Sequence, residues 1–178
     1  MIIKKLFLVL FILSSLSIYS QDNLTFTKSI PLTKKANKAY KDVILWFDGL
    51  TRFRNITTPE SETNIKGTGF ITYKNPVKYP ESSALTKVYQ AKTNGKFIYD
   101  INIELKDDLC IITLTNFKHE PEDKIDNFNF GIITIDENIP SKIFCEVTPE
   151  WCNNVWIDMK SRIEQQVNSI FLTLPQNF

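Results

Sequence analysis

A chain of 178 residues, with 43% hydrophobic side chains and thirteen phenylalanines, is long enough for one ordinary domain with a filled core. Its net charge of +1 argues against a nucleic-acid binder or a general anionic-membrane binder, since both need a concentrated positive surface. With one histidine and three scattered cysteines, the sequence also lacks the clustered ligands of a zinc site, and no metal or cofactor is expected.

The first residues are the most informative. Lys4 and Lys5 precede the apolar run Leu6 to Leu13, and Ser14, Ser15, Ser17 and Ser20 lead to Gln21. A basic start, a short apolar segment and small residues form the pattern of a secretory signal peptide. The run is too short to cross a bilayer, which takes roughly 20 residues. The expected organisation is a leader over 1–20, cleaved near Ser20/Gln21, then a single α+β domain over 21–178 without a transmembrane span. Loss of Lys4 and Lys5 leaves one more acidic than basic side chain. No cysteine follows the leader directly, so a lipid anchor is not expected there. Localisation is expected to be periplasmic or secreted.

Leu24, Phe26 and Ile30 alternate with polar residues, predicting a half-buried strand ended by Pro31. Leu32 or Thr33 then opens a helix with Ala36, Ala39, Tyr40, Val43, Phe47 and Leu50 on one face, and Trp46 at its edge. Lys34, Lys35, Lys38 and Lys41 line the opposite side. Asn55 to Glu62, with Pro59, reads as a loop. Ile65 to Tyr73 reads as a strand in which Gly67 and Gly69 bare the backbone on one face, leaving room for a bulge or a closely packed helix.

After a turn-rich connection from Asn75 to Ser83, Leu85 to Ala91 reads as a further strand and Asn94-Gly95 as a hairpin turn. The next strand has the clearest alternation in the chain. Tyr99, Ile101, Ile103 and Leu105 face one way, and Asp100, Asn102, Glu104 and Lys106 face the other. Lys106-Asp107-Asp108 turns it into Leu109 to Phe117, where Cys110, Ile112 and Leu114 alternate with Ile111, Thr113 and Thr115. His119 to Asn127 reads as a polar loop. Phe128 to Ile135 and Lys142 to Val147 fit either strands or irregular segments. Thr148-Pro149-Glu150 is a helix start, with a capping Thr, Pro at the first position and Glu in the first turn. Trp151, Val155, Met159, Ile163, Val167, Ile170 and Leu174 then repeat at helical spacing, predicting a closing helix over about 149–172, stopped by Pro175.

This order predicts an α+β fold: an antiparallel sheet, arranged as a meander, with an N-terminal and a C-terminal helix packed on one face. The amphipathic helix ending near Trp46-Phe47, the strand Ile65-Lys-Gly67-Thr-Gly69, the hairpin through Asn94-Gly95-Lys96 into Leu109-Cys-Ile-Ile-Thr-Leu-Thr and the closing helix carry a resemblance. The chain resembles exported bacterial proteins of a domain-of-unknown-function family with a TATA-binding-protein-like fold. The resemblance covers residues 24–118 and, loosely, the last helix. It implies a fold and no activity, and a fold name does not imply DNA binding.

No convergent catalytic set emerges. His119 is the only neutral-pH base, and beside Glu120 and Pro121 it reads as a surface loop histidine with no nucleophile motif near it. Glu120, Glu122, Asp123 and Asp126 invite a calcium reading, but Phe128 stands where the EF-hand pattern needs a ligand, so a solvated acidic loop is expected. Gly67-x-Gly69 lacks the third glycine and the following helix of a phosphate loop. Cys145 and Cys152 are near enough in sequence to bridge, a closure worth about 2–3 kcal/mol. Three reduced, mostly buried thiols is the simpler expectation, with Cys110 in a strand core.

The expected ligand or partner face is the row Asp100, Asn102 and Glu104, together with Trp156, which lies off the apolar stripe of its helix and is expected to be partly exposed. The leading functional expectation is an exported, non-enzymatic binding or interaction domain of the bacterial cell envelope, with an envelope protein or small ligand as partner. The alternative is an envelope hydrolase using the sheet-face carboxylates.

Overall fold

The computed structural model describes residues 22–49, 53–61, 63–106, 108–123, 127–143 and 147–174. The expected leader over 1–20 lies outside them, as do Leu50, Asp126, Cys145 and Pro175. Five strands and three helices follow one another along the chain: β1 (Phe26–Pro31), α1 (Ala36–Gly49), β2 (Phe53–Ser61), β3 (Asn64–Tyr73), α2 (Ser83–Thr93), β4 (Gly95–Leu105), β5 (Leu109–Pro121) and α3 (Pro149–Leu172). The strands form one antiparallel sheet in the order β1-β5-β4-β3-β2. β2 to β5 are therefore a meander, and β1 closes its far edge against β5.

The alternation in β3 and β4 decides which face is buried. Ile65, Ile71 and Tyr73 of β3 and Phe97, Tyr99, Ile101, Ile103 and Leu105 of β4 share one side, and all are buried. α1 sets Ala39, Val43 and Phe47 on that side, and α3 sets Trp151, Val155, Met159, Ile163, Val167 and Ile170 there. The Trp46 indole N–H donates to the Thr173 hydroxyl, joining the two helix ends. The expected α+β arrangement, with both helices on one face, is the one observed. Thr148 caps α3 by accepting from the Trp151 N–H, with Pro149 opening the first turn.

Four local readings are corrected. The expected loop Asn55 to Glu62 is, as far as Ser61, the edge strand β2 (Phe53–Ser61), and Glu62 lies outside the described residues. An edge strand has one neighbour, so Pro59, which has no N–H to donate, is tolerated there, and register shifts interrupt the pairing with β3.

Leu85 to Ala91 is not a strand but most of helix α2. The Ser82 hydroxyl caps it by accepting from the Leu85 N–H at 3.3 Å. Leu85 and Val88 lie exposed, while Thr86, Tyr89, Gln90 and Thr93 turn inward at helical spacing. A packing face this polar is invisible to hydropathy.

Asn94-Gly95 is not a hairpin turn either. Asn94 ends α2 by donating to the Gln90 carbonyl at 2.9 Å, and Gly95 begins β4. A Cβ at Gly95 would stand 2.2 Å from the Glu120 carbonyl oxygen of β5, so the closeness of that backbone selects glycine.

β5 runs past the expected end at Phe117 to Pro121. Between the pairs Ile98↔Lys118 and Asp100↔Thr115 the register slips, and Asn116 takes a positive φ of 58°. This β-bulge changes the phase of burial from Cys110, Ile112 and Leu114 to Phe117 and His119. Phe128 to Ile135 is irregular with two isolated bridges, Asn23↔Thr134 and Lys118↔Ile132, that hold it beside the end of β5.

Candidate functional site

The other face of the sheet carries Asp100, Asn102 and Glu104 on its central strand. The described helices pack on the opposite side, so this face has no helical cover among the described residues. Strand pairing sets the three residues in rows: Thr115, Asp100 and Thr68; Thr27, Thr113, Asn102 and Lys66; Ser29, Ile111, Glu104 and Asn64. The Thr25 and Thr115 hydroxyls stand 2.7 Å apart across the edge pair.

Side-chain amides orient the acids. Asn116 Nδ2 donates to Asp100 Oδ2 at 2.7 Å, and Asn23 Nδ2 donates to Asn116 Oδ1 at 2.7 Å. Asn102 Nδ2 donates to Glu104 Oε1 at 3.1 Å, while Lys106 Nζ lies 3.6 Å from Glu104 Oε2. Asn64 Oδ1 and Asn102 Oδ1, on adjacent strands of this face, accept no hydrogen bond among the described residues. Asp100 and Glu104 are four residues apart on an extended strand, hence about 13 Å between Cα atoms. Paired-carboxylate hydrolysis of glycosides works with carboxyl groups roughly 5–9.5 Å apart.

Trp156 does not join this face. It is fully buried on the helix side, and its indole N–H donates to the Asp136 carbonyl at 3.1 Å. The segment before α3 covers it: Lys160 Nζ donates to the Ile135 and Asp136 carbonyls, and the Ile139 N–H donates to Asn153 Oδ1. The indole's position on its helix gave no sign of that cover, because the covering residues come from the irregular segment.

His119 is not a surface loop residue. It lies fully buried on β5, its ring flanked by Tyr73, Phe97 and Phe130. The Phe130 N–H donates to Nδ1 at 3.3 Å, which leaves the proton on Nε2 to be donated to the Thr93 carbonyl at 3.0 Å. Burial lowers its pKa from 6.5 to about 4, against smaller raising effects of the Thr93 carbonyl and of Glu120. A neutral, enclosed imidazole with both nitrogens engaged is structural.

The acidic stretch is dispersed. Glu120 pairs with Lys96 at 3.6 Å on the outer face, and Glu122 and Asp123 are exposed. Among the described residues, no group of three His, Cys, Asp or Glu side chains is placed to hold a metal ion. Just before α1, Lys34 pairs with Asp42 of the helix.

The cysteines differ from the simpler expectation of three reduced thiols. Cys152 is disulfide-bonded, while Cys110 is free and buried, its pKa pushed up to about 12 by desolvation. A thiol held protonated in this way is a poor nucleophile.

A concave site absent from the sequence reading lies on the helix side, between the end of β3 and the middle of α3. Thr72, Tyr73, Lys74, Pro76, Asp158, Ser161, Arg162 and Gln165 line a cavity of about 370 Å³. A smaller one of about 170 Å³ adjoins it through Thr72 and Arg162. The buried Tyr73 hydroxyl donates to Asp158 Oδ2 at 2.8 Å, and burial followed by the Asp158 charge raises the phenol's pKa. The only sequence trace of the site is the spacing of Asp158, Arg162 and Gln165 on one helix face; the strand residues opposite are brought there by folding.

No protein-family model and no curated protein matches the chain. Among solved structures, the chain is similar to a TBP-like protein from Parabacteroides distasonis, with 11% identity and a TM-score of 0.45 over 85% of this chain and 92% of that one. It is also similar to a DUF4468 family protein from Bacteroides ovatus, with 16% identity and a TM-score of 0.42 over 86% of this chain and 88% of that one. Among the described residues, no helix is long and apolar enough to cross a membrane.

Proposed function

We propose that the chain is an exported, non-enzymatic binding domain of the bacterial cell envelope, and that it engages its partner through the Asp100, Asn102 and Glu104 face. The observation that carries this reading is the open polar face itself, whose carboxylates are held in place by Asn116 and Asn102 before any partner arrives. Such preorganisation lowers the entropy cost of association. Export is supported by the basic, apolar and small-residue pattern of residues 1–20 and by the disulfide at Cys152, which suits an oxidising compartment. We assign Cys145 as the other half of that disulfide, since Cys110 is free. The hydrolase alternative draws no support from the wide spacing of Asp100 and Glu104 or from the enclosed His119.

The test is cross-linking of the tagged protein in its native envelope, followed by mass spectrometry of the captured species and of the mature N-terminus. The expected result is a start at Gln21 and cross-links to one partner that Asp100→Lys and Glu104→Lys both abolish. Retention of residues 1–20 in a cytoplasmic product, or cross-links unaffected by both substitutions, would overturn the reading.

A further inference from the structure

We infer that the cavity between the end of β3 and the middle of α3 is a binding site for a small polyhydroxylated carboxylate, an acidic sugar. Its volume of about 370 Å³ falls within the range of small-molecule pockets, roughly 300–1,000 Å³. The lining chemistry selects the ligand. Lys74 and Arg162 both border the cavity, and neither has a carboxylate within ion-pairing distance among the described residues. Two cations in one small concavity favour an anionic oxygen group, and the planar fork of Arg162 suits a carboxylate in particular.

Asp158 adds the opposite requirement. Its Oδ2 is committed to the buried Tyr73 hydroxyl, which fixes the carboxylate against the cavity wall. Asp158 itself lines the cavity that Lys74 and Arg162 border, so its carboxylate calls for a hydrogen-bond donor on the ligand besides the anionic group. Ser161, Gln165 and Thr72 supply further donors and acceptors, and Pro76 adds apolar surface. A lipid or an apolar peptide side chain would leave these polar groups without partners, whereas a ring bearing several hydroxyls and one carboxylate satisfies them together.

The cavity lies on the helix side of the sheet, so this inference stands or falls independently of the open face. The experiment is titration of isotope-labelled protein, followed by backbone amide shifts, with sodium glucuronate, glucose and inorganic phosphate as separate arms. Glucuronate is expected to move the amides around Lys74, Ser161, Arg162 and Gln165 saturably, with glucose and phosphate each bound at least about tenfold more weakly. Arg162→Gln and Lys74→Gln, at exposed positions that leave the core intact, are each expected to weaken glucuronate binding about tenfold, and Asp100→Lys to leave it unchanged. Absence of saturable shifts, equal affinity for phosphate, or indifference to both cavity substitutions would overturn the inference.

Discussion

His119 Nε2 lies 3.0 Å from the Thr93 carbonyl oxygen, so a buried imidazole on β5 secures the last turn of α2. The same ring takes the Phe130 N–H on its other nitrogen and thereby joins a strand, a helix end and the irregular segment. Protonation would turn Nδ1 from an acceptor into a donor facing that N–H, in a pocket of aromatic rings.

This arrangement makes stability depend on pH with a definite sign. The unfolded histidine takes up a proton below about 6.5, while the folded one resists until about 4. The contribution is complete above pH 6.5 and is lost as pH falls toward 4. At about 1.4 kcal/mol per pKa unit, the full loss is about 3 kcal/mol. Urea unfolding of wild type and His119→Gln at pH 7.5 and 4.5 measures it. The variant is expected to be less stable at pH 7.5 and to lose less on acidification; equal losses in both proteins would show that other groups carry the dependence.

Gly69 is held by its partner across β3 and β4. An added Cβ would stand 2.3 Å from the Tyr99 ring, which fills the space that the missing side chain leaves. Gly69→Ala is expected to destabilise the fold by about 1–3 kcal/mol through overpacking. Tyr99→Leu costs stability alone but should relieve the clash, so the double variant is expected to be more stable than additivity allows. Chemical denaturation of the four proteins gives the coupling, and strict additivity would contradict the contact.

The disulfide at Cys152 reaches the first turn of α3 and, paired with Cys145, would close a short loop. Its removal by Cys145→Ser with Cys152→Ser is expected to cost about 2–3 kcal/mol on the loop-entropy model. Peptide mapping without reduction should recover the two cysteines in one linked fragment and Cys110 as a free thiol. Recovery of Cys110 in the bridge would refute the pairing.

Much of the fold was legible wherever chemistry is local. The alternation from Tyr99 to Leu105, the helical stripe from Trp151 to Ile170 and the Thr148-Pro149 cap each report the environment of the residues that carry them. The Asp100, Asn102 and Glu104 row was legible for the same reason, since a period of two assigns faces without knowing the partner strands. The bulge at Asn116 broke that logic. By reversing the phase within one strand it made the end of β5 look like a loop and the buried His119 look exposed.

The sequence by itself determined the class of fold, the buried side of the sheet and the extent of the closing helix, because periodicity and capping act over a few residues. Tertiary structure alone decided that Trp156 is covered, that α2 packs through a polar face, and that Tyr73, Lys74, Asp158 and Arg162 meet around one cavity. Each of these depends on which distant segment lies against a residue. Burial of that kind is a property of pairs of surfaces, and neither surface carries a record of the other in its own local pattern.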